Sequence, residues 1–164
     1  KHLVILDVLT IAFGFVLRVV AGAVSIKVEI SHWFLICSFL LAIFLGLCKR
    51  RHELIILEKN IYFRPSLKEY TPHLLDQMIS VVTASTLISY ILYTVSSQTI
   101  EKFKTKNLIF TIPFVLYGIF RYLYIVYKKE EGSFPETSLL TDIPLLVDVV
   151  LWILCCGIII YVDY

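Results

Sequence analysis

"LVILDVLTIAFGFVLRVVAGAVSI", residues 3–26, carries only two charges, Asp7 and Arg18, in an otherwise apolar run. About 20 apolar residues suffice for a helix to cross the hydrocarbon core of a bilayer. Only helices and closed barrels satisfy their own backbone polar groups there, so a run of this length and type reads as a membrane-spanning helix. Four further runs of the same kind follow, at 31–48, 74–97, 108–127 and 144–161. A soluble core of this size has no use for five such runs. The composition agrees, with 59% hydrophobic and only 17% charged residues, against about 25% charged in a typical soluble domain. The expected fold is an all-α membrane protein, a polytopic bundle of transmembrane helices.

The charges between the runs set an expected orientation. If the spans alternate, one side receives Lys1, Lys49, Arg50, Arg51, Lys59, Arg64, Lys68, Lys128 and Lys129, and the other Lys27, Lys102, Lys104 and Lys106. The positive-inside rule makes the first side cytoplasmic and places the C-terminus outside. Ser31, Thr71 with Pro72, and Asp142 with Pro144 are helix-start signals. The outer connections, 27–31 and 98–106, are short, whereas the inner ones, 49–73 and 128–143, are long. Loops held by a rigid scaffold tend to carry chemistry, so the inner face is the expected working face. Within the inner loop 49–73, "HELIILEKN" has the pattern of a short amphipathic helix lying at the membrane interface. Cys37, Cys48, Cys155 and Cys156 lie in or at the ends of apolar runs, where they read as small packing residues. No Gly-rich phosphate loop is visible, and nothing points to a nucleic-acid partner.

Charged residues within membrane runs need a partner or a cavity, because each costs about 2.5–3.5 kcal/mol against lipid at mid-helix. Asp7, Ile11, Gly14, Arg18 and Ala21 or Gly22 share one helical stripe, a mixture of charge and small residues that suits a cavity wall or close helix contact. Asp7 and Arg18 are about 16 Å apart along that helix, too far to pair with each other. Asp76 opens the third run and could line the same cavity. Arg121 and Asp148 read as a structural ion pair near one membrane face. Lys49, Arg50, Arg51 and His52 are open to two readings. One is a topology anchor on anionic headgroups. The other is a phosphate site, in which arginine forks and a lysine point charge receive a phosphorylated lipid, with Glu53 and Tyr70 beside them.

Four stretches favour the second reading by resemblance: "KHLVILDVLTIAFGFVLRVVAGAV", "FLLAIFLGLCKRRHEL", "RPSLKEYTPHLLDQMISVVTASTLISYILYT" and "PFVLYGIFRYLYIVY". Together they closely resemble the UbiA superfamily of intramembrane prenyltransferases, in its phosphoribosyl-transferring branch. "KRRHEL" and "DVLTIAFGFVLR" are the specific parts. The resemblance implies a nine-helix fold, with the whole of 1–164 forming its last five helices. It also implies transfer of a 5-phosphoribosyl group from 5-phosphoribosyl 1-diphosphate to a polyprenyl phosphate of decaprenyl type. Diphosphate is released, Mg²⁺ is the cofactor, and the lipid product feeds arabinan precursors for a bacterial cell wall. The protein would then be a multi-pass enzyme of the bacterial plasma membrane.

The superfamily's first Asp-rich motif, which binds Mg²⁺ and diphosphate, would precede Lys1. The missing N-terminal half is therefore an expected partner, and this chain alone is expected to be inactive. The second motif, usually acidic, is replaced here by Lys49-Arg50-Arg51-His52-Glu53. A monophosphate acceptor keeps its phosphate and has no leaving group for a metal to neutralise, so direct cationic contacts serve it. Lys49, Arg50, Arg51, His52, Glu53, Tyr70, Asp76, Asp7 and Arg18 are the expected substrate-binding residues. The alternatives are a UbiA-type prenyltransferase acting on an aromatic or other small acceptor, and a non-catalytic lipid-binding or scaffold fragment.

Overall fold

A computed structural model describes residues 5–58, 70–128 and 141–163. The described residues form helices, with no strand: α1 (Leu6–Ser25), α2 (His32–Glu58), α3 (Pro72–Val95), α4 (Ser97–Phe103), a 3₁₀ turn (Asn107–Thr111), α5 (Ile112–Lys128) and α6 (Ile143–Asp163). Five segments are long and apolar enough to cross a membrane: Leu6–Ser25, His32–Ile55, Pro72–Val95, Asn107–Lys128 and Ile143–Val162. Each overlaps one of the five expected spans. The outer connection 98–106 is largely occupied by α4, which is capped by the Ser96 hydroxyl accepting from the Thr99 amide.

The boundary expected after Cys48 does not hold. Helix α2 continues ten residues further, to Glu58, so Lys49–Glu53 lie on a helix and not in a loop. The reason is local: "KRRHELIILE" contains neither Gly nor Pro, and Lys, Arg, Glu and Leu are strong helix formers. Charge alone does not end a helix. The expected separate interfacial helix is, up to Glu58, the last turns of α2, and 59–69 lie outside the described residues.

The chain forms two compact units, Lys1–Thr86 and Leu87–Tyr164. In the first, α1 and α2 pack as an antiparallel hairpin. Val8 meets Gly46 and Phe13 meets Phe39, the ring centroids of the latter pair 5.3 Å apart, so contacts run backward along α2 as they advance along α1. A side-chain carbon added at Gly46 would stand 3.0 Å from Val8 Cγ1, and this close approach is what the glycine permits. Val8, Ala12, Ala42, Phe44, Leu47, Cys48, Leu75 and Ile79 form the buried core around it. Helix α1 ends in a Schellman turn, in which the Val28 amide donates to the Ala23 carbonyl and the Lys27 amide to the Val24 carbonyl. Lys27 takes the left-handed conformation there, at φ 53°, a place that usually favours glycine.

In the second unit, Tyr90, Thr111 and Trp152 close a polar trio within the helices. The Trp152 indole donates to the Tyr90 hydroxyl at 3.0 Å, and the Tyr90 and Thr111 hydroxyls are 2.6 Å apart. Arg121 does not pair with Asp148. Its guanidinium forks onto Asp142, with Nε and Nη2 each donating at 2.9 Å. Asp142 also caps α6, as its position before Pro144 foretold, by accepting from the Leu145 amide at 3.1 Å. Asp148 lies six residues further into the helix, about 9 Å along its axis, beyond the capping residue that Arg121 engages.

Asp148 is buried and makes no ion pair or hydrogen bond among the described residues. Its Oδ2 would stand 2.9 Å from a side-chain carbon added at Gly118. Gly118→Ala is therefore expected to destabilise the protein by about 1–3 kcal/mol, the usual range for overpacking. In an Asp148→Gly background the same change should cost nothing. Thermal unfolding of the two single variants and the double variant measures the coupling. Additive effects would show that the two positions do not meet.

Candidate functional site

Successive residues on an α-helix point about 100° apart, so four charged or polar neighbours cannot share a face. The end of α2 uses this. Lys49 is exposed, Arg50 reaches α1, Arg51 reaches the start of α3, and His52 is buried. Because α1 and α2 are antiparallel and the start of α3 meets the end of α2, Asp7, Arg50, Arg51 and Asp76 gather at one end of the first unit.

The cluster has two branches. In one, Arg50 lies between two carboxylates: its Nε is 2.9 Å from Asp7 Oδ2, and its Nη1 donates to Glu53 Oε2 at 2.7 Å. The contact with Asp7 is close but misaligned for a hydrogen bond, so charge carries it. Asp7 is fixed from its other oxygen, where Oδ1 accepts from the Val8 amide at 2.9 Å and from the Tyr70 hydroxyl at 3.0 Å. Tyr70 in turn accepts from the Ile5 amide at 2.6 Å. In the second branch, Arg51 Nε donates to Asp76 Oδ1 at 2.6 Å. Only 12% of the Arg50 side chain and 9% of the Arg51 side chain are exposed, against 37% of Asp76. Arg51 and Asp76 each make further contacts.

Tyr70, just ahead of α3, is buried. That burial is the main force lifting its hydroxyl above the ordinary phenol pKa; the bond from Ile5 works against it, and the neighbouring Asp7 adds to it. The hydroxyl therefore remains a proton donor to Asp7 across the neutral range. It pins the residue that precedes α3 to the first turn of α1.

Of the nine residues expected at the site, Asp7, Arg50, Arg51, Glu53, Tyr70 and Asp76 are joined in this network, with Lys49 and His52 on the same turn of α2. Arg18 is not brought in. It stands exposed on α1, with no ion pair among the described residues. Its separation from Asp7 is therefore resolved on one side only, by Arg50. The two interhelix partnerships, Asp7 with Arg50 and Arg51 with Asp76, were not expected. One available signal was alternation of the spans, which puts the start of α1, the end of α2 and the start of α3 at the same membrane face.

Among the described residues, no three His, Cys, Asp or Glu side chains converge on a metal position. Asp7, Glu53 and Asp76 each face a guanidinium instead.

These features define a multi-pass helical membrane protein with a part-buried arginine–carboxylate cluster. The comparisons with known proteins narrow that class. No family model matches the chain. It is similar to the decaprenyl-phosphate phosphoribosyltransferase of Corynebacterium glutamicum, 29% identical over 164 residues, covering 99% of this chain and 49% of that protein. Similarity to the enzyme of the same name from Mycolicibacterium smegmatis is 28% identity over 169 residues, 98% of this chain and 52% of that protein. For the protein of that name from Mycobacterium tuberculosis it is 26% over 122 residues. The resemblance read in the sequence is thus matched by named relatives, and the chain spans about half the length of the first two.

Proposed function

We propose that this chain forms part of a polyprenyl-phosphate phosphoribosyltransferase of the UbiA type. The reaction moves a 5-phosphoribosyl group from 5-phosphoribosyl 1-diphosphate to a decaprenyl-type phosphate, releasing diphosphate, and the product supplies arabinan precursors of a bacterial cell wall. One observation carries this reading: the similarity runs through nearly the whole chain, and the stretch most specific to the resemblance, Lys49–Leu54, is the one the fold draws into a cluster with Asp7, Tyr70 and Asp76.

In the proposed reaction, an oxygen of the lipid phosphate forms a bond to C1 of the ribose. The bond from C1 to the diphosphate oxygen breaks, and its electron pair leaves with the diphosphate. A phosphate monoester is already anionic at neutral pH, so no general base is required. The protein's task is to place two anions and offset their charge. Lys49 supplies an exposed point charge. Arg50 and Arg51 supply N–H donors beyond those turned toward Asp7, Glu53 and Asp76. Those carboxylates and Tyr70 orient the guanidiniums. Mg²⁺, expected from the resemblance, does not fit this cluster, whose carboxylates Asp7, Glu53 and Asp76 each face an arginine; in this proposal it is held by residues elsewhere in the protein. The site faces the cytoplasm and the C-terminus lies outside.

The test is transfer of label from 5-phosphoribosyl 1-diphosphate to decaprenyl phosphate by membranes carrying the full-length protein. Labelled lipid is expected, lost on chelation and restored by Mg²⁺. Purified Lys1–Tyr164 is expected to show none. Failure of the full-length protein to label the lipid, or transfer of a prenyl group to an aromatic acceptor instead, would refute the proposal.

A further inference from the structure

Among the described residues, the charges of the cluster do not add up to a phosphate site as they stand. Asp7, Glu53 and Asp76 set three carboxylates against the guanidiniums of Arg50 and Arg51. Adding Lys49 only brings the formal sum to zero. A phosphomonoester carries about −1.5 to −2 at neutral pH, and withdrawal of one carboxylate would give these described residues the positive surplus to receive it.

The three carboxylates are not equally free to do so. Asp7 is held on its own helix by the Val8 amide and the Tyr70 hydroxyl, whatever Arg50 does. Asp76 makes contacts beyond its bond from Arg51. Glu53 has the longest side chain of the three, is one-fifth exposed, and meets Arg50 from the same helix, three residues on. It also takes the one aligned hydrogen bond described from the Arg50 guanidinium, that from Nη1. Arg50 would keep its charge contact with Asp7 after Glu53 left, and so would stay in place.

We propose that Glu53 is an exchangeable counter-ion at Arg50: its carboxylate occupies the Nη1 position in the absence of substrate and swings out when a phosphomonoester takes that position. The inference rests on the reading above that Arg50 meets a substrate phosphate. Two sources supply that chemistry, the polyprenyl phosphate headgroup and the 5-phosphate of the ribosyl donor. Glu53 raises the cost of binding the anion and, in exchange, keeps a cation neutralised within the membrane while the site is empty.

Steady-state kinetics of the full-length protein, varying each substrate in turn, test this. Glu53→Gln keeps the shape and removes the charge. It is expected to lower KM for one substrate by about two- to fivefold, the weight of a partly exposed i,i+3 ion pair, and to leave the other KM unchanged. The substrate whose KM falls is the one whose phosphate reaches Arg50. Glu53→Asp keeps the charge on a shorter arm and should lower the same KM by less; it carries the test if Glu53→Gln does not fold. Unchanged or raised KM for both substrates overturns the inference. If the wild-type protein transfers no phosphoribosyl group, the proposed function fails separately, and equilibrium binding of farnesyl phosphate against farnesol decides instead. Tighter binding of the phosphate alone by Glu53→Gln then upholds the exchange, and equal or weaker binding overturns it.

Discussion

Replacing Arg50 by Met is expected to destabilise the protein by about 3 kcal/mol, at the low end of the range for breaking a buried ion pair. Arg50 is the only guanidinium described against Asp7 and Glu53, and its own side chain is 12% exposed. Met fills much of the volume, so the loss comes from two carboxylates left without their cation. The low end applies because Asp7 and Glu53 keep 25% and 20% exposure, which lets water recover part of the cost. Removing the stranded charges should restore much of the stability. Thermal unfolding in detergent of Arg50→Met, of Asp7→Asn with Glu53→Gln, and of all three together reads this directly. A triple variant no more stable than Arg50→Met alone would mean that the loss is one of packing.

The second large effect concerns turnover. In the full-length protein, Arg51→Lys is expected to lower the rate of phosphoribosyl transfer by roughly 10- to 100-fold with expression unchanged, the worth of one charge-assisted hydrogen bond made in the transition state. Lys preserves the charge facing Asp76 but presents a single ammonium, which cannot hold Asp76 with one edge and a phosphate with the other. A topology anchor would tolerate the exchange. Wild-type kinetics in this variant would therefore return the "KRRHEL" cations to the role of headgroup anchors.

The five spans were legible in the sequence because each is an apolar run of near-bilayer length, a pattern that needs no knowledge of neighbours. Helix starts at Pro72 and Asp142 were legible for the same reason, since capping is local. What lay beyond local pattern was misread. The charged end of α2 looked like a loop, yet nothing in Lys49–Glu58 breaks a helix. Arg121 was matched to Asp148, six residues beyond the carboxylate it engages, because the register between α5 and α6 that brings Asp142 to it cannot be read from sequence. That Asp7, Arg50, Arg51, Glu53, Tyr70 and Asp76 lie at one end of the helices was visible in the sequence, but how they pair was not. Sequence spacing set Asp7 and Arg18 on one stripe of α1 and named a partner for neither, whereas the fold pairs Asp7 with Arg50 on the next helix.

The continuity of α2 has a consequence for how a lipid substrate is met. A helix of 27 residues is about 40 Å long, some 10 Å more than the roughly 30 Å hydrocarbon core it crosses. With its first residues at one boundary, its last turns would rise like a mooring post through the headgroups on the other side. Arg50 and Arg51 then come about 27 and 29 Å along the axis from His32, at the foot of that post, where the hydrocarbon core gives way to the headgroups. On the function proposed above, a polyprenyl phosphate drifting in the leaflet would dock without being lifted out of the bilayer, and its search would be a two-dimensional one at fixed depth. Shortening α2 by one turn before Lys49 would sink the berth by about 5 Å, and the lipid would have to stoop to reach it.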